Sequence, residues 1–173
     1  MLEIGMICAE AGEKIARVSA NMAMAADMEV RASSTATTGA YSSACQRGLP
    51  AILMERGGGG RFTDSEVQAY KQDVKNIMIR MGLLSGEEVH TVQQKNVTRA
   101  EYLEAETDGL WYPVFSAGDT FAGGAVLGTV RDIWGNLLLE YRADYPGIIL
   151  YQTVGLGVKT GDLLIAYGEY VDR

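Results

Sequence analysis

Histidine is nearly missing from this chain, with one, His90, in 173 residues. A hydrolytic zinc site takes two or three histidines, and a histidine-based triad needs one placed beside its nucleophile, so both are disfavoured. Cysteine is also scarce. Cys8 and Cys45 form no C-x-x-C pair and read as buried or free thiols. Positive charge is in deficit, with 15 basic against 22 acidic residues and a net charge of −7, which counts against a nucleic-acid partner. No apolar run reaches the roughly 18–20 residues that span a bilayer, so a membrane is not an expected partner. The amino terminus has Glu3 and no basic stretch, so no signal peptide is visible and the cytoplasm is the default compartment.

What is present is a 47% hydrophobic chain with 21 glycines. Ile7, Ala11, Ile15, Val18 and Met22 recur at helical spacing and predict an amphipathic helix through the first segment. Met28 to Ala32 reads as a short strand. Tyr41 to Arg47 reads as a short helix closed by Gly48. The apolar run Leu49 to Met54 reads as a buried strand ending in Glu55-Arg56 and four glycines, Gly57 to Gly60. That loop has neither P-loop nor dinucleotide-binding spacing and reads as a mobile active-site loop or a plain turn. Thr63-x-x-Glu66 looks like a capping box. It opens a helix ending at Gly82, with Val67, Tyr70, Val74, Ile77, Met78 and Met81 on its apolar face.

Beyond Gly86 helical periodicity stops. Short apolar runs separated by Gly and Asp turns predict strands at 88–95, 98–106, 110–115, 125–131, 137–141, 147–152 and 163–167. The expectation is a partial α/β domain over 1–86 followed by a small all-β barrel or sandwich over 87–173. Within the β region, Asp108-Gly-Leu then Gly118-Asp-Thr is echoed by Pro146-Gly-Ile then Gly161-Asp-Leu, pointing to two similar β units. His90 falls in the first predicted strand and has no second ligand nearby.

The run Gly48-Leu-Pro-Ala-Ile-Leu-Met-Glu55-Arg-Gly-Gly resembles the catalytic-Glu strand of the succinylglutamate desuccinylase/aspartoacylase family. The helix ending in Met81-Gly-Leu-Leu84 and the Gly-Asp turns of the β tail resemble that family's downstream elements. The resemblance implies a carboxypeptidase-like α/β fold, a zinc cofactor and hydrolysis of an amide bond in an N-acyl amino acid or similar small molecule. It implies that Glu55 is the general base and proton donor. It covers only the carboxy-terminal half of such a protein. The family's His-x-x-Glu pair and later His have no counterpart here, so no metal ligand is assigned in this chain.

Tyr41-Ser-Ser-Ala-Cys45 stands where some family members have Tyr-Ser-x-x-Arg, whose Tyr and Arg hold a substrate carboxylate. Tyr41 matches; Cys45 replaces the Arg, leaving Arg47 or Arg56 as a substitute grip. Tyr41 and Arg56 are thus the expected substrate-binding residues. The expected identity is a truncated or split deacylase, partnered by a separate amino-terminal half or by itself. The alternative is a non-catalytic remnant or β-barrel interaction module.

Overall fold

The computed structural model describes residues 3–8 and 11–172. The chain divides into two compact units, Glu3–Val97 and Thr98–Tyr170, with a few terminal residues assigned across the division. The cut falls inside a strand, beyond Gly86.

The first unit is α/β. Its elements are β1 (Ile4–Cys8), α1 (Glu13–Ala25), β2 (Val30–Ser34), α2 (Ala40–Gln46), β3 (Ile52–Glu55), α3 (Asp64–Arg80) and the start of β4 (Lys95–Glu104). The strand order is β3-β1-β2-β4. β1, β2 and β4 run parallel and β3 runs antiparallel to β1, which makes this a mixed sheet. Ile4-Gly-Met-Ile-Cys8 has no polar residue, as a strand covered on both faces requires. It is therefore a strand and not the start of the expected helix. The helix starts after Gly12, and Ile7 matched its period by coincidence.

β3 is not the buried strand its composition predicts. Among the described residues it has one neighbour, β1, and Ile52, Leu53 and Met54 are only half-buried. α3 also departs from expectation. Its capping box is present, with Thr63 Oγ1 accepting from the Glu66 amide at 3.2 Å and Glu66 Oε2 accepting from the Thr63 amide at 2.6 Å. Yet Val74, Met78 and Met81 are exposed, while Asp73 and Asn76 are fully buried. The helix docks through polar anchors. Asp73 Oδ1 accepts from the Asp27 amide at 2.8 Å, and Asn76 exchanges hydrogen bonds with the Val89 amide and carbonyl.

The second unit is all β: the rest of β4, β5 (Gly109–Pro113), β6 (Thr120–Phe121), β7 (Val126–Arg131), β8 (Leu137–Arg142), β9 (Gly147–Gln152), β10 (Gly157–Val158) and β11 (Leu163–Asp172). It contains the order β4-β11-β9-β6 and a four-stranded antiparallel sheet, β10-β5-β7-β8. No ring of strands closes among the described residues, so of the expected barrel or sandwich the unit takes the second form, two sheets sharing one core. Trp111, Leu127, Val130 and Tyr141 come from one sheet and Phe121, Ile149, Leu164 and Tyr167 from the other.

The two Gly-Asp turns of the sequence echo match in atomic detail. Gly118 and Gly161 both take left-handed φ, at 94° and 89°. Asp119 accepts from the Ser116 amide and Asp162 from the Lys159 amide, each at 2.8 Å. Gly118 N–H donates to Ile149 and Asp119 O accepts from Ile149; Gly161 and Asp162 treat Ala105 in the same way. No helix among the described residues is long and apolar enough to cross a membrane.

Candidate active site

The register places Glu55, Ile4, Val30 and Lys95 in one row across the sheet. Glu55 ends its strand at this row, and its side chain is exposed. The chain then enters the glycines, which form a defined turn. Gly58 pairs with Arg61, whose amide donates to Gly58 O at 3.2 Å, and Gly59 and Gly60 both have left-handed φ. Two consecutive positive φ values make this a two-residue hairpin turn of the primed type, where glycine has no steric penalty. Gly57 has φ 74°, and a Cβ there would sit 3.2 Å from Arg61 O and 3.3 Å from a Glu66 oxygen.

Arg56 turns inward, with 3% of its side chain exposed. Its Nε donates to Asp73 Oδ2 at 2.8 Å, and Nη2 donates to Asp73 Oδ1 at 3.0 Å and to the Asp27 carbonyl at 2.8 Å. Nη1 pairs with Glu3. Burial works against the charge, but Asp73 and Glu3 outweigh it and raise the guanidinium pKa further. The bidentate fork is satisfied within the protein.

Tyr41 is half-buried in the first turn of α2, which packs on β1 and β3. Among the described residues no hydrogen bond joins it to Glu55 or Arg56. Cys45 is buried and directs its thiol to Ala51 O at 3.4 Å.

His90 does not lie in a strand. The segment before β4 is irregular because side chains, not a neighbouring strand, take its backbone groups. Asp27 accepts from Thr91 N, Thr91 Oγ1 and Val92 N at 2.6–3.2 Å. Burial pushes the Asp27 carboxyl up, but these bonds and nearby His90 hold it below its ordinary 3.8. His90 Nε2 sits 2.9 Å from Glu88, which Arg80 grips with both guanidinium arms. The Arg80 bonds, aided by His90, keep the Glu88 carboxyl below its ordinary 4.5. Asp27, Arg80, His90 and Gln94 line a cavity of about 380 Å³.

The zinc implied by the sequence resemblance does not fit these residues. Among the described residues no group of three or more His, Cys, Asp or Glu side chains could hold a metal. His90 is committed to Glu88, and both thiols are buried.

No family model matches the chain. A curated relative, the N-alpha-acetyl-L-2,4-diaminobutyric acid deacetylase of Halomonas elongata, is 27% identical over 127 residues, covering 70% of this chain and 37% of the relative. The product-bound structure of the ectoine utilization protein EutE (DoeB) from Ruegeria pomeroyi superposes with a TM-score of 0.84 at 20% identity, covering 97% of this chain and 53% of that one. A succinylglutamate desuccinylase/aspartoacylase from Rhodobacter sphaeroides superposes with a TM-score of 0.81 at 20% identity, over 99% and 54%. The chain shares its fold with the succinylglutamate desuccinylase/aspartoacylase family. It spans about half the length of the family structures it matches. Its mixed α/β unit and antiparallel sheets follow the desuccinylase/aspartoacylase architecture.

Two residues that tie down the Glu55 strand end escape sequence reasoning. Tyr70 reads only as part of an apolar face, and Asp73 belongs to no motif. The signal that could find them is an acid at 73, one turn after Tyr70 on the same side of the helix.

Proposed function

We propose that this chain is one half of a deacylase that hydrolyses the amide bond of an N-acyl amino acid or similar small molecule. Glu55 is its proton carrier. It takes a proton from the attacking water and returns it to the amine nitrogen as the C–N bond breaks, leaving a carboxylate and a free amine. The observation that carries this reading is an exposed carboxylate at a strand end held from behind by a buried ion pair, beside an ordered glycine turn. Whatever polarises the amide and activates the water is supplied by polypeptide outside the described residues, in the same chain or a separate one. Tyr41 is the proposed substrate contact. Arg56 holds the strand end and not the substrate.

The test supplies N-acetyl amino acids to the chain together with the polypeptide encoded next to it, and follows release of free amine. Glu55→Gln is expected to slow hydrolysis by about 10²–10⁴-fold, the usual contribution of general acid–base catalysis. Unchanged hydrolysis would remove Glu55 from the role.

A second reading, in which the β unit binds another protein, is favoured by the β7–β8 hairpin tip. There Ile133 and Trp134 are 75% and 83% exposed. Asp132 braces the tip by accepting from the Trp134 and Asn136 amides at 2.8 and 2.9 Å. An exposed Trp on a hydrogen-bonded turn suits an interface anchor. If this reading holds, Trp134→Ala abolishes association seen by light scattering, and hydrolysis is absent with either half.

A further inference from the structure

We infer that Tyr70 is a positioning residue that fixes the backbone torsions of Glu55; this rests on the reading of Glu55 as proton carrier. The Tyr70 hydroxyl accepts from the Arg56 amide at 2.8 Å and donates to the Met54 carbonyl at 3.2 Å. Those two groups belong to the two peptide planes on either side of the Glu55 Cα. A single oxygen bonded to both sets φ and ψ of Glu55 together.

The clamp sits on the edge of the sheet formed by the described residues. Val30 N–H bonds to Glu3 O, so the backbone groups of Glu3 and Gly5 face β2, and those of Ile4 face β3. Ile4 pairs with Glu55, so alternation turns the Met54 and Arg56 backbone groups away from β1, toward the open edge. Tyr70 takes the place of a neighbouring strand there.

Asp73 supplies the second tie, one helical turn further along α3. It grips the Arg56 side chain with both oxygens, as Tyr70 grips the Arg56 amide. The Arg56 guanidinium carbon also lies 5.9 Å from the centre of the Tyr70 ring. α3 itself is anchored by its capping box and by Asn76. The backbone of Glu55 is thus bound to the helix while its carboxylate stays exposed, which is what a preorganised proton carrier needs.

Tyr70→Phe removes the hydroxyl and keeps the ring. In the purified chain, amide exchange followed by NMR is expected to speed up roughly tenfold at Arg56, the effect of losing one hydrogen bond. Amides of β1 and β2 should exchange as in the wild type. Unchanged exchange at Arg56 would overturn the clamp, and so would an equal rise throughout the unit, which marks a general packing role. A second measurement leaves the hydroxyl in place. Replacing tyrosine with 3-fluorotyrosine alters the hydrogen-bonding strength of the hydroxyl, and the Arg56 amide resonance should move while those of β2 stay in place. An Arg56 resonance that does not move also overturns the proposal. If Glu55→Gln leaves hydrolysis intact while Arg56 responds to Tyr70, the clamp stands and the catalytic reading falls.

Discussion

The two units solve the problem of a stable interior by different chemistry. Aromatic residues aside, the buried polar side chains among the described residues all lie in the α/β unit: Ser19, Ser34, Ser42, Asp73 and Asn76. The β unit is packed with rings instead. Trp111 meets Tyr141 edge-on at 5.7 Å, Phe121 meets Tyr167 edge-on at 5.5 Å, and Tyr145 lies 5.1 Å from Tyr167. An aromatic core tolerates many arrangements of similar volume, whereas a buried charge pair with fixed hydrogen bonds fits one arrangement well. The unit that holds the candidate carboxylate, Glu55, is the one built on the less forgiving chemistry.

The contrast can be broken from either side, because the optical probes divide cleanly. Both tryptophans, Trp111 and Trp134, lie in the β unit, and the three helices among the described residues lie in the other. The largest expected effect is Asp73→Ala. It leaves the Arg56 charge buried with only Glu3 as counter-charge, and is expected to cost about 3–5 kcal/mol. The helix signal in circular dichroism should then melt at lower denaturant, with the tryptophan transition unmoved. If both transitions shift together, the two kinds of core are not energetically separate.

Gly128→Ala attacks the other core. A Cβ at that position overlaps the Trp111 ring. A loss of about 1–3 kcal/mol is expected, read in tryptophan fluorescence and not in the helix signal. Thr63→Ala removes the α3 cap and should cost about 1 kcal/mol in the helix signal alone. A change in the tryptophan transition here would blur the division.

The mildest test is alkali. Burial pushes the Tyr145 hydroxyl up to about 12, with the nearby Tyr167 and Glu101 adding to it. Burial likewise raises Tyr167. A raised folded value means that the folded state favours the neutral ring. That contribution is complete below the ordinary value of 10.0 and is lost as pH rises toward about 12. Tryptophan fluorescence in a pH series should show the β unit loosening in this window; a flat response would show that Tyr145 ionises without strain.

Much of the chain was legible because it is local. The capping box, the helix stop at Gly82, the strand 147–152 and the paired Gly-Asp turns all follow from short spacings. Three readings failed because their cause lies far along the chain. Periodicity located α3 but turned Val74, Met78 and Met81 inward in place of Asp73 and Asn76, which find their partners at Asp27 and Val89. The alternation at 88–95 reads as a strand until Asp27 and Asn76 take its backbone groups. The apolar run at 49–54 looks interior, yet β3 is an edge among the described residues, and edge position is a property of topology and not of composition. At the candidate site, the placing of Glu55 at a strand end was legible, whereas the inward turn of Arg56 depends on Asp73 and Glu3, distant in sequence.

The clamp on either side of Glu55 also limits how that residue can move. Its backbone cannot swing without breaking two hydrogen bonds and tugging on a buried charge. In the proposed reaction, any reach toward a water, and any retreat toward a leaving amine, must therefore come from rotation about its own side-chain bonds. The strand end behaves as a fixed pivot with a short arm, and the arc of that arm sets where a scissile bond can lie.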